Sequence, residues 1–76
     1  MSEFTEALDT RGLNCPLPIL RAKKALKGLE STQVLKVTAT DPSTMQDFAS
    51  FCRQSSHELI SSEEAGDEFV FLIRKA

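Results

Sequence analysis

Apolar positions along the chain change period several times, and each change marks an element. Between Pro16 and Leu29, Ile19, Ala22, Ala25, Leu26 and Leu29 fall within one helical arc of about 120°. Arg21, Lys23, Lys24 and Lys27 lie on the other side, where Leu17 and Leu20 also fall. That stripe predicts a core-facing helix, with Gly28 near its end. Residues 34–40, VLKVTAT, alternate instead, so that Leu35, Val37 and Ala39 share one face of a β-branched strand. A second helical stripe follows in Met45, Phe48, Ala49, Phe51 and Cys52, with Asp41 placed to cap and Pro42 at the first helical position. HELISSEE at 57–64 and EFVFLIRK at 68–75 read as two strands joined by a turn at Ala65-Gly66-Asp67. A short extended piece at Glu3–Asp9 precedes the first turn, TRGLN.

The predicted order is therefore β-α-β-α-β-β, an α/β chain of the α+β kind. Two helices cannot cover both faces of a four-stranded sheet, so two layers with both helices on one face are expected. In the last strand Phe69, Phe71 and Ile73 alternate with Val70 and Leu72. An element apolar on both faces belongs inside the sheet or offers one face to a partner. The 76 residues fit a single domain, 1–76, with a modest core and no linker.

Composition narrows the function classes. There is no apolar leader after Met1, and the longest apolar run, FVFLI, is too short to cross a bilayer, so a cytoplasmic, membrane-free protein is expected. Two cysteines 37 positions apart and one histidine lack the paired spacing of a zinc site or a dithiol motif. No metal or cofactor is expected. The net charge of −2 hides an asymmetry: residues 11–29 carry five basic side chains and no acid, whereas residues 41–76 carry three basic and seven acidic. Without tyrosine or tryptophan to stack bases, and without a recognition motif, direct nucleic-acid binding is not expected.

The chemistry-bearing stretch is RGLNCPLPIL, residues 11–20. With Pro16 as first helical residue, Cys15 becomes the N-cap, where orphan amides converge near the positive end of the helix dipole. Leu17 and Ile19 are the amides available to it, since Pro18 has none. That placement and the cations from Arg11 to Lys27 predict a thiol more acidic than a free cysteine. Gly12 gives the turn its freedom, and Asn14, Pro16 and Pro18 shape the helix start. Cys52 lies on an apolar stripe and reads as structural, as does His57 at a strand start.

These residues carry a resemblance. LDTRGLNCPLPILRAKKAL, with DPSTMQDFASFC, HEL and a terminal FLIRK, resembles the TusA/SirA family of small sulfur-carrier proteins from Leu8 to Lys75. The family motif Cys-Pro-x-Pro stands here as Cys15-Pro16-Leu17-Pro18; Ser56 replaces the glycine common before His-Glu-Leu. The resemblance implies a two-layer sandwich like the C-terminal domain of bacterial translation initiation factor three. It further implies that Cys15 takes sulfane sulfur as a persulfide from a cysteine desulfurase or rhodanese-like donor. The sulfur then passes to a DsrE-like or other relay acceptor, in transfer-RNA thiolation, sulfur oxidation or cofactor maturation. Such a sulfurtransferase-type carrier acts with partner proteins, and Arg11, Leu17, Leu20, Lys23, Lys24 and Lys27 are the expected docking residues around the thiol. The alternative reading is a non-catalytic regulatory or protein-binding module of the same fold.

Overall fold

The computed structural model describes residues 4–76. Strand β1 spans Glu6–Thr10, helix α1 Leu17–Lys27, strand β2 Val34–Ala39, helix α2 Thr44–Gln54, strand β3 Glu58–Ala65 and strand β4 Glu68–Arg74. The order β-α-β-α-β-β is the one the sequence predicts. Glu3, where the first strand was expected to begin, lies outside the described residues.

The sheet runs β1-β2-β4-β3, with β1 parallel to β2 and the other pairs antiparallel. Its registers bring Leu8 beside Val37, and Val37 beside Phe71. Both helices pack on this one face. Ala22, Leu26 and Leu29 from the α1 region meet Phe48 and Cys52 of α2 over Leu35, Val37, Phe71 and Ile73. The Phe48 and Phe71 rings, 4.6 Å apart between centroids, form the centre of that core. Strand β4 occupies an interior position, which explains its two apolar faces: Phe69, Phe71 and Ile73 are buried, while Val70 and Leu72 are half-buried on the other side.

The turns follow their residues. Gly66, with φ of 66°, begins the Gly66-Asp67 connection between β3 and β4; Ala65, expected in that turn, instead pairs with Glu68. A register shift between Leu59 and Ser61 interrupts the β3 alternation and leaves Ile60 exposed. The Lys75 ammonium donates to the carbonyls of Leu26 (2.6 Å) and Leu29 (3.2 Å), a cationic donor placed at the C-terminal end of α1. Among the described residues no helix is long and apolar enough to cross a membrane.

Candidate functional site

Because β1 and β2 are parallel neighbours, the chain leaves both at the same end of the sheet before turning into α1 and α2. The two helix starts consequently stand side by side. Two hydrogen bonds tie them together. The Gly12 amide donates to the Thr40 hydroxyl oxygen at 2.9 Å, and the Cys15 amide donates to Asp41 Oδ2 at 2.8 Å. Gly12 has φ of 82°, a left-handed conformation that favours glycine. The Asn14 carbonyl accepts from the Leu17 amide at 2.8 Å, closing the turn that carries Cys15.

The helix start differs from expectation by one residue. Helix α1 begins at Leu17, Pro16 takes the N-cap place with non-helical backbone angles, and the Cys15-Pro16 bond is cis. Cys15 therefore sits outside the helix on an exposed turn. The Leu17 amide, expected to face the sulfur, is spent on Asn14. Pro18 is the second helical residue and is buried, so it anchors the start as well as removing a donor.

Helix α2 also starts later than expected, at Thr44 rather than Pro42. Asp41 still supplies its capping bonds: Oδ1 accepts from the Ser43 amide and hydroxyl, both at 3.0 Å. Its carbonyl accepts from the Thr44 amide at 3.0 Å and hydroxyl at 2.6 Å. One carboxylate thus orders both helix starts, and its bonds to the Cys15 and Ser43 amides hold its pKa below the ordinary carboxylate value.

The sulfur opens onto a groove of about 270 Å³ between the helices, with Ile19 and Lys23 on one wall and Asp47, Phe51 and Gln54 on the other. The Lys23 ammonium lies over the Phe51 ring, 5.5 Å from its centroid. The surroundings of Cys15 oppose the expected acidification. Its pKa is raised, and the Asp47 carboxylate, which lines the same groove, is the main cause. Desolvation and the charges of Asp47 and Asp41 act in the same direction, and only the Ser43 hydroxyl opposes them. The basic run of α1 is local in sequence, but the side chains that shift the thiol, Asp47, Asp41 and Ser43, come from the acidic half of the chain.

The remaining expected residues divide. Leu17 and Leu20 are exposed at 43% and 52%, on the same helix side as the exposed Lys23, Lys24 and Lys27. Arg11 does not join them; it is held by Asp9 at 2.9 Å and Glu68 at 3.3 Å. Cys52 is buried in the core, and burial pushes its thiol pKa up. His57 accepts the Ala76 amide at Nδ1, 3.1 Å, and burial lowers its pKa. Asp41 was legible only as a cap, and Asp47 was missed. The available signal was topological: parallel pairing of the first two strands brings both helix starts to one end.

The chain matches the family described as Sulfurtransferase TusA over residues 6–75. It is 54% identical over 76 residues to the sulfur carrier protein TusA of Allochromatium vinosum, covering all of both chains. It is 42% identical over 77 residues to the sulfur carrier protein TusA of Pseudomonas putida, covering 99% of this chain and 96% of that one. Among solved structures, the SirA-like protein from Desulfitobacterium hafniense is similar with a TM-score of 0.78 at 25% identity, covering 95% of this chain and 97% of that one.

Proposed function

We propose, from the premise that the chain belongs to the TusA sulfurtransferase family, that it is a sulfur carrier whose working group is the Cys15 thiol. One observation carries the assignment to Cys15: of the two thiols, it alone is exposed, on an ordered turn at the mouth of a groove, whereas Cys52 is packed in the core.

The reaction is an exchange without net oxidation. The sulfur of Cys15, as thiolate, attacks the terminal sulfur of a donor persulfide, R–S–SH. A new S–S bond forms, the donor S–S bond breaks, and its electron pair leaves on the donor thiolate. The proton given up by Cys15 balances that thiolate, so that Cys15–SH and R–S–SH become Cys15–S–SH and RSH. Delivery repeats the step, with an acceptor thiolate attacking the terminal sulfur and Cys15 as leaving group. A single thiol suffices, and an internal resolving thiol would discard the cargo as hydrogen sulfide. The donor in this reading is a cysteine desulfurase or rhodanese-like protein, and the acceptor a DsrE-like or other relay protein.

Docking belongs to the exposed side of α1. Leu17 and Leu20 supply apolar contact beside the thiol, and Lys23, Lys24 and Lys27 supply charge that steers an acidic partner surface. Arg11 is left out of that surface because its guanidinium is engaged by Asp9 and Glu68. Intact-mass measurement after incubation with a cysteine desulfurase and cysteine, or with a rhodanese donor, tests the function. A gain of about 32 Da, one sulfur, reversible by dithiothreitol, is expected. Absence of any gain with both donor types would favour the regulatory-module reading.

A further inference from the structure

Two carboxylates border the Cys15 sulfur, and they are not equivalent. Asp41 is fully committed, with Oδ2 on the Cys15 amide and Oδ1 on Ser43. Asp47 is not. Its Oδ2 is buried and has no hydrogen-bond partner among the described residues. The same side chain lines the groove that holds Cys15. A buried carboxylate oxygen without a donor is costly, and a neutral thiol is a donor that can relieve it. A thiolate cannot; it would place another negative charge beside Asp47 and Asp41. The groups facing the sulfur are Asp47 from α2, Asp41 and Ser43 from the turn before it, and Lys23 from α1 across the groove. The Lys23 ammonium lies over the Phe51 ring of α2, four residues along the helix from Asp47.

We propose, building on the carrier reading, that Asp47 is a positioning residue acting as a charge gate on Cys15: its carboxylate stands as an open acceptor for the empty thiol and turns an anionic, sulfur-loaded side chain away from α2 toward the open mouth of the groove. In the empty state the thiol is neutral and a poor nucleophile, so it is sheltered from stray electrophiles. In the loaded state the terminal sulfur, more acidic than a thiol, is anionic and repelled by the same carboxylate, which presents it to an acceptor. One fixed charge thus separates the two states. The exchange itself is unchanged, since Asp47 forms no covalent bond and the proton of Cys15 still ends on the donor sulfur.

The test compares Cys52→Ala protein with the Cys52→Ala, Asp47→Asn double variant, each with one thiol. Iodoacetamide rate constants are measured across pH, and sulfane loading is measured in the same samples. Asparagine keeps the shape and an acceptor oxygen but not the charge. The expected result is a rate profile displaced to lower pH, with several-fold faster alkylation at neutral pH, and its return toward the parent in Asp47→Glu. A purely structural role would not move the midpoint. Superimposable profiles in natively folded proteins overturn the gate. Should Asp47→Asn fail to fold, a ¹³Cβ titration of Cys15 in the parent decides: a midpoint above that of a peptide of residues 11–20 supports the gate, and one at or below it overturns it. Loss of the carrier reading shows separately, as no mass gain in the parent.

Discussion

The two helix starts share a grammar, a polar or thiol residue followed by proline, but differ in how their side chains are used. At the start of α2, Asp41, Ser43 and Thr44 satisfy one another and the backbone around them. At the start of α1 the corresponding residue is Cys15, whose side chain is exposed and whose backbone order is borrowed through the bond from its amide to Asp41. The α2 start is thus a completed structural joint, and the α1 start is the device mounted on it. A reactive thiol can be left outside the helix because a neighbouring element supplies the rigidity that its own cap would otherwise provide.

The largest disruption comes from beneath both starts. Phe48 is fully buried and packs on Phe71, so Phe48→Ala is expected to lose about 3–5 kcal/mol, comparable to much of the stability of a small domain. Chemical denaturation checks this; a loss below about 1 kcal/mol would mean that the helices do not depend on this core. The next effect isolates the joint. Asp41→Ala removes the acceptors for Cys15 and Ser43 and is expected to speed amide exchange at Cys15 and slow sulfur transfer several-fold, with the sheet intact. Asp41→Asn, retaining one oxygen, should be milder. An unaltered Cys15 amide in Asp41→Ala would show that the α1 start stands alone.

The smallest effect is a pH dependence of the same joint. The folded Asp41 carboxyl has a lowered pKa, so its contribution is fully present above the ordinary unfolded value of about 3.9. It is lost as pH falls through the folded value, because the unfolded chain then binds more protons. Proton exchange at Cys15, corrected for its intrinsic pH dependence, should therefore show rising local opening below about pH 4, and Asp41→Asn should lack that rise.

Much of the scaffold was legible in the sequence because each element carries its own period. The Leu35, Val37, Ala39 alternation and the Phe48, Cys52 stripe are local patterns, and the two apolar faces of β4 left an interior strand or a partner-covered face, of which the sheet order shows the first. The helix starts were less legible. Proline marks the neighbourhood of a start but not its residue, and the cap of α1 fell on Pro16 instead of Cys15. The electrostatics were misread for a related reason. Basic charge clusters beside Cys15 along the chain, yet the carboxylates that act on its thiol, Asp41 and Asp47, arrive through strand pairing across more than twenty residues of sequence. Arg11 shows the converse: close to Cys15 in sequence, it is drawn off to Asp9 and Glu68.

The contrast between an exposed thiol on a borrowed joint and a buried thiol in the core is tested most directly by mapping sulfane sulfur to a residue. Parent, Cys15→Ser and Cys52→Ala proteins are incubated with the same persulfide donor, alkylated, digested and read by mass spectrometry. The expected result is one sulfur, about 32 Da, on the Cys15 peptide in the parent and in Cys52→Ala, and none in Cys15→Ser. Cys52→Ala should lose about 1 kcal/mol of stability from its buried volume while keeping transfer. Persistent loading of Cys15→Ser, with the label on the Cys52 peptide, would contradict the assignment.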